Sequence, residues 1–427
     1  MLNEFTRSEL GPKTTLYTLN TDKYRTNTVR FYYKHELKPG DNTMTALAMR
    51  LLQHGSASYP SRLALARQLE TLYGAHLGTG VGKVGGYQLA YVHLEVAAER
   101  FLPNADGLFA RALDTALEVM TKPQALAQPP EEGILTQESE YLSRDIRSLV
   151  DDKARYSLVR CNQEMFGPAP YALSEAGTLE DLRGVEGEQL PDHYRHLLAH
   201  ADMNVFMVGQ FSPGDVEALK EVAALREDQM PLEPVPVPPV RDKPHQRTEE
   251  ADVTQARICL GLRAVAELNE SDYYPLVMYN GILGGFPHSK LFVNLREKAH
   301  LAYDVWSFVS SMPPVQYIMA GVHPEQYQQA LEIMEEQRRE VREGRFNSSE
   351  LEATRKAVIN RIRGITDTPE RLIGATISNL LAQRTAGKDE QIAAFKGVEP
   401  QDVVRVAEKL QLDTTMVLLP RRSEQPS

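Results

Sequence analysis

At 427 residues the chain exceeds the size at which one hydrophobic core keeps growing, which calls for two or more domains. With 42% hydrophobic, 25% charged and 7% aromatic residues it has a globular balance, which excludes a disordered chain or a membrane protein. Lys and Arg number 47 against 58 Asp and Glu, and a net charge of −11 excludes a non-specific nucleic-acid binder, whose surface must neutralise phosphates.

The opening Met1-Leu2-Asn3-Glu4-Phe5 lacks the charged-then-apolar layout of a signal peptide, and no run reaches the roughly 18 apolar residues that cross a bilayer. A cytoplasmic protein without membrane contact is expected. Residues 41–54 and 61–73 show helical periodicity, each behind a capping-type residue, and Tyr87 to Leu94 alternate as a strand does. Long helices rich in Glu and Arg follow, then a short apolar strand over 204–208. The two cysteines, Cys161 and Cys259, are too far apart for a metal knuckle and read as buried small hydrophobes. Residues 231–244, PLEPVPVPPVRDKP, form an extended linker, because proline fixes φ and removes a donor. The expected domains are therefore 1–230 and 248–427, joined by a linker over 231–247.

The second half repeats the first. A shift of 228 lays Ser61-Arg62-Leu63 on Ser289-Lys290-Leu291 and Tyr87-Gln88 on Val315-Gln316 without a gap. Helices are expected at 271–283 and 289–298, a strand at 315–320, a helix starting at Ser349 with Glu352 at capping-box spacing, a strand at 415–419 and a frayed tail from Arg421. Helices segregated from strands point to an α+β fold with two homologous domains, each a mixed or antiparallel sheet covered by helices.

The densest chemical signal runs from Gly284-Gly285-Phe286-Pro287-His288-Ser289 to Arg296 and Tyr303. This block resembles the C-terminal half-motif of the insulinase (pitrilysin-like) zinc metallopeptidase family, in which a Gly-rich loop and a helix present an Arg followed seven positions later by a Tyr. Tyr59 to Leu63, Leu69 to Ala75 and Asp151 to Tyr156 extend the likeness, which is nearest to the YmfF-type members that lack the zinc motif. The resemblance implies two similar domains facing a central cavity. It makes Gly284, Gly285 and Ser289 a substrate loop, with Arg296 and Tyr303 stabilising the oxyanion of an attacked peptide carbonyl.

The family's zinc site is HxxEH on a first-half helix with a distal Glu as third ligand. At those positions stand Ala46-Leu47-Ala48-Met49-Arg50: Ala46 and Met49 carry no ligand or base, and Arg50 repels a dication. Glu131 and Glu138 have the spacing of the distal acidic helix, with Glu138 expected to be ion-paired. His196 and His200, i and i+4 on a helix behind His193, lack a third ligand and are expected on a solvated face. His35-Glu36 opens no HExxH, and Gly82, Gly85 and Gly86 precede a strand, so they cradle no phosphate. The resemblance therefore implies a subunit that holds no metal or other cofactor and binds peptide. It would lend Arg296 and Tyr303 to an HxxEH-bearing partner that carries the zinc. The alternative is a non-enzymatic peptide-binding or scaffold protein of the same fold, and a homodimer is compatible with either.

Overall fold

The computed structural model describes residues 2–227, 234–265, 268 and 270–421. It separates into two compact units, each a mixed sheet with helices on its core face. In the first unit β1 (Thr6–Gly11), β2 (Thr14–Asn20), β3 (Thr26–Glu36), β4 (His76–Val84), β5 (Tyr87–Ala97) and β6 (Asp202–Gly209) run in the order β1-β2-β6-β3-β5-β4. In the second, β7 (His245–Ala251), β8 (Ala256–Ala264), β9 (Ala302–Ser311), β10 (Pro314–Val322) and β11 (Leu410–Pro420) run β7-β11-β8-β10-β9. Without β1 the two orders coincide strand for strand. The parallel pair, β2 with β6 or β7 with β11, also falls in the same place. The repeat read from the sequence is thus a repeat of topology. Gln88 and Gln316, 228 residues apart, are both fully buried in the equivalent strands β5 and β10, and each gives its amide hydrogens to a covering helix segment.

Strand alternation decides which face is dry. On β5, Ala90, Val92, Leu94 and Val96 enter the core beneath the helices, while Tyr91, His93 and Glu95 point to the opposite face. On β8 the core set is Ala256, Ile258, Leu260 and Leu262. The helix Asp41–Leu51 buries Ala46, Leu47, Ala48 and Met49 completely or nearly so against the first sheet. Each large side chain buried in this way contributes about 1.5–3 kcal/mol.

The compact units do not follow the sequence halves. Ser148–Ala172 belongs to the second unit and Asp367–Thr376 to the first. Asp152, whose carboxylate accepts the N–H of Arg155, caps the helix Lys153–Phe166. That helix lies on the outer face of the second sheet, with Cys161 against Cys259 and Arg160 paired with Glu249. The close approach requires Gly261, where a Cβ would stand 1.9 Å from Met165 Cε and 3.3 Å from Cys161 Sγ. Both cysteines are free and buried.

Residues 234–244 of the proline stretch carry no helix or strand, 231–233 lie outside the described residues, and β7 begins at His245, inside the expected linker. Fully buried Asp413 fastens this stretch to the second unit by accepting from Arg241 at 3.3 Å and Arg263 at 3.5 Å. The helix expected to be capped by Ser349 is capped two residues earlier and runs Ser348–Arg363. Asn347 caps it by accepting from the N–H of Glu350, and the Glu350 carboxylate accepts the N–H of Asn347. An Asn before two serines offered a competing cap, and the box closed on the pair that left Leu351 facing the core. Of the tail, only Arg421 lies among the described residues.

Candidate functional site

Two groups of residues were singled out by sequence, and each is described within its own unit. In the first, the helix Asp41–Leu51 tightens into the turn Leu52–His54, and this brings His54 onto the same face as Arg50. Facing them on the helix Glu132–Ser148 is Glu138, only 3% exposed. Its Oε1 lies 2.8 Å from His54 Nε2 and 3.6 Å from Arg62 Nη1, while Oε2 accepts from Arg50 Nη1 at 3.5 Å. The other Nη of Arg50 pairs with Asp145. Burial pushes the Glu138 carboxyl up, but the His54 hydrogen bond and the charges of His54, Arg50 and Arg62 outweigh it and hold the group below its ordinary value.

Arg50 and Glu138, read from the sequence as standing at the last His and the distal Glu of an HxxEH site, thus meet each other. Ala46 and Met49 offer no ligand atom, and both are buried. A zinc ion does not fit this donor set: one carboxylate and one imidazole face it, together with two guanidinium groups. The protein's own cations, Arg50 and Arg62, already face this carboxylate. Glu131 stands exposed just ahead of the helix and takes no part. The sequence reading missed His54. Its spacing of four from Arg50, one helical turn, was the available signal.

The second group lies between the helical segment Phe292–Lys298 and β9. The N–H of Leu301 donates to Leu295 O at 3.0 Å and that of Ala299 to Asn294 O at 3.1 Å, and His300 takes a left-handed φ of 54° to turn the chain into the strand. Arg296, in the last turn of the helix, is exposed and lays its guanidinium over the Phe292 ring at 4.9 Å. Among the described residues it makes no ion pair. Tyr303, the second residue of β9, is 73% exposed and its hydroxyl has no hydrogen bond among them. A guanidinium and a phenol are thus left free on one helix-to-strand connection at the open edge of the second sheet.

Gly284 and Gly285 do not form a loop. They close a wide helical turn, Gly281–Gly285, that continues the helix Tyr273–Asn280. Their role is close packing: a Cβ on Gly284 would stand 2.7 Å from Ser307 Oγ and 2.9 Å from Leu291 Cδ1, and one on Gly285 would stand 2.8 Å from Asn280 Nδ2. Ser289 is 1% exposed, so its hydroxyl reaches no substrate; its carbonyl accepts the N–H of Val293 as the next helix starts. Gly-Gly before Phe-Pro looks like a loop because glycine is a poor helix former, and tight packing overrides that propensity here. The rings of His196 and His200 meet edge to face at 4.1 Å, with His196 exposed and the His200 side chain only 18% exposed, and His193 bonds to Thr45 at 2.8 Å.

Comparison with known proteins agrees with these features. Residues 184–358 match the model of the peptidase M16 inactive domain. A Bacillus subtilis protein described as a "probable inactive metalloprotease", YmfF, is 28% identical over 405 residues, which cover 95% of each chain. The chain thus resembles insulinase-like M16 proteins, through the family model over 184–358 and through YmfF over most of its length. The crystal structure of a conserved protein from Enterococcus faecalis aligns with a TM-score of 0.90 at 25% identity, covering 99% of this chain and all of that one. That of a peptidase M16 inactive domain from Pseudomonas fluorescens aligns at 0.80 with 17% identity, over 99% of this chain and 100% of its own. The chain contains no HxxEH sequence. Among the described residues no helix is long and apolar enough to cross a membrane.

Proposed function

We propose that this chain is the non-zinc subunit of a two-chain peptidase, which binds an extended peptide and lends Arg296 and Tyr303 to an HxxEH-bearing partner. The observation that carries the reading is a contrast. On the helix read as the counterpart of the zinc helix, Arg50 and His54 close on Glu138, whereas Arg296 and Tyr303 have no partner of their own among the described residues. Unpaired donors on a preorganised connection suit a ligand oxygen. A guanidinium and a phenol O–H aimed at a peptide carbonyl stabilise negative charge as it develops, and losing one such donor costs about 3 kcal/mol in the transition state.

Peptide binding draws on the sheet edges. β4 and β9 each pair on one side only, and an added strand gains main-chain hydrogen bonds with little dependence on side chains. Zinc and the attacking water belong to the partner, so this chain alone hydrolyses nothing. We place the complex in the cytoplasm, where free thiols such as Cys161 and Cys259 stay reduced.

The test is peptide cleavage by this chain, by an HxxEH-bearing relative from the same genome, and by the mixture, with wild type, Arg296→Ala and Tyr303→Phe. The proposal expects activity in the mixture only. Each variant then lowers turnover about 100-fold without loss of assembly. Full activity with both variants makes the chain a scaffold instead.

A further inference from the structure

We propose that His93, Glu95 and Glu370, with His76 at the rim, form a binding site for a divalent cation of the zinc class, remote from the closed HxxEH position. His93 and Glu95 are two apart on β5 and so share the face turned away from the core. Glu370 reaches them from the first turn of the helix Pro369–Leu381, in the segment that belongs to the same unit. One ligand-type atom from each of the three lies within 4.8 Å of the others. In the β4–β5 register, His76 stands opposite Glu95 and Gly78 opposite His93. The missing side chain at Gly78 leaves room for the His76 ring, which approaches His93 with centroids 6.0 Å apart.

The cluster is incomplete as it stands. The His93 side chain is only 12% exposed, its Nε2 lies 3.8 Å from Glu95 Oε2, and its Nδ1 is buried with no hydrogen-bond partner among the described residues. With the proton on Nδ1, the Nε2 lone pair faces Glu95 and is the one that would ligate. Two carboxylates at this distance repel unless a shared proton or a cation lies between them. Arg30, across from His93 on β3, does not serve. Its guanidinium lies over the rings of Tyr91 at 4.4 Å and Tyr32 at 5.2 Å, and it makes no ion pair with either glutamate.

Imidazole with carboxylate is the donor set of zinc-type ions, which hold such ligands at about 2.0–2.2 Å in a tetrahedron. Tetrahedral ligands then sit about 3.4 Å apart, so binding requires the cluster to close by up to about 1.4 Å, a motion within reach of the partly exposed Glu370 side chain. A bound ion would pin Asp367–Thr376 to the first sheet, fastening a segment supplied by the sequence's second half.

The proposal does not rest on Arg296 or Tyr303. It is tested on the full-length chain after stripping with a chelator, by equilibrium dialysis against Zn²⁺ with metal analysis and by the visible spectrum after Co²⁺ loading. The expected result is one equivalent bound, with slower hydrogen exchange over 369–376. Affinity falls at least about tenfold in Glu370→Gln and in His93→Ala. Because His93→Ala disturbs a half-buried strand, the surface variants Glu370→Gln and His76→Ala carry the decision. No stoichiometric binding, or binding that Glu370→Gln leaves unchanged, overturns the proposal. The latter outcome would locate the ion elsewhere, as on His196 and His200.

Discussion

Replacing Glu138 by Gln keeps the shape of the side chain and removes its charge from beneath His54, Arg50 and Arg62. At an effective dielectric near 20, the attraction of Arg50 alone at about 3.5 Å is about 5 kcal/mol before desolvation is subtracted. Removing one partner of a fully buried pair costs about 3–5 kcal/mol. Here Arg62 is 56% and Arg50 29% exposed, so water takes over part of their solvation and the expected loss falls to about 2–3 kcal/mol. The pH dependence has a definite sign. The Glu138 carboxyl is held below its ordinary value of 4.5, so its contribution is complete above that value and is lost as pH falls through the folded-state value. Wild type and variant therefore differ most near neutrality and converge in acid. The only tryptophan, Trp306, lies in the second unit and is blind to this change. Urea melts followed by far-UV circular dichroism at pH 7 and in acid, with hydrogen exchange over Asp41–Leu51 and Glu132–Ser148, read it instead. A variant as stable as wild type at pH 7, or a difference that persists undiminished in acid, would refute the reasoning.

Other expected outcomes follow from single contacts. Installing the family motif by Ala46→His, Met49→Glu and Arg50→His in a Glu370→Gln background creates a zinc site with Glu138, seen as one equivalent of metal that the background alone does not bind; no gain would mean that the helices are not aligned as argued. Gly261→Ala pushes a methyl into Met165 and Cys161, and is expected to destabilise the second unit by about 1–3 kcal/mol, measured through Trp306 fluorescence in urea. Asn347→Ala removes a helix cap at a cost of about 1 kcal/mol, whereas Ser349→Ala is neutral; equal effects in thermal melts would contradict the observed capping box.

Much of the fold was legible because both halves repeat one hydrophobic pattern. The alternation over Tyr87 to Leu94 and the helical period over 41–54 both appear where expected, the latter ending in a tight turn. The exchange of Ser148–Ala172 and Asp367–Thr376 between units was hidden, because a helix that covers the other unit's sheet has the same amphipathic period as one that covers its own. That Ala46, Met49 and Arg50 offer no zinc-ligand set was readable directly, since these side chains lack the chemistry. The partner of Glu138 was not visible: His54 gains its role only when the turn Leu52–His54 faces a helix 84 residues away in sequence. Gly284 and Gly285 misled for a related reason, as sequence shows their flexibility and only packing shows that Ser307 and Leu291 need the space.

The most direct test of the central claim is the turnover of a quenched fluorogenic peptide library by the mixture of this chain with its HxxEH-bearing relative, comparing wild type with Arg296→Ala at equal complex concentration. The account predicts cleavage in the mixture alone and a loss of about 100-fold in kcat with the complex intact. Cleavage by this chain on its own, or a mixture whose rate ignores Arg296, would contradict it.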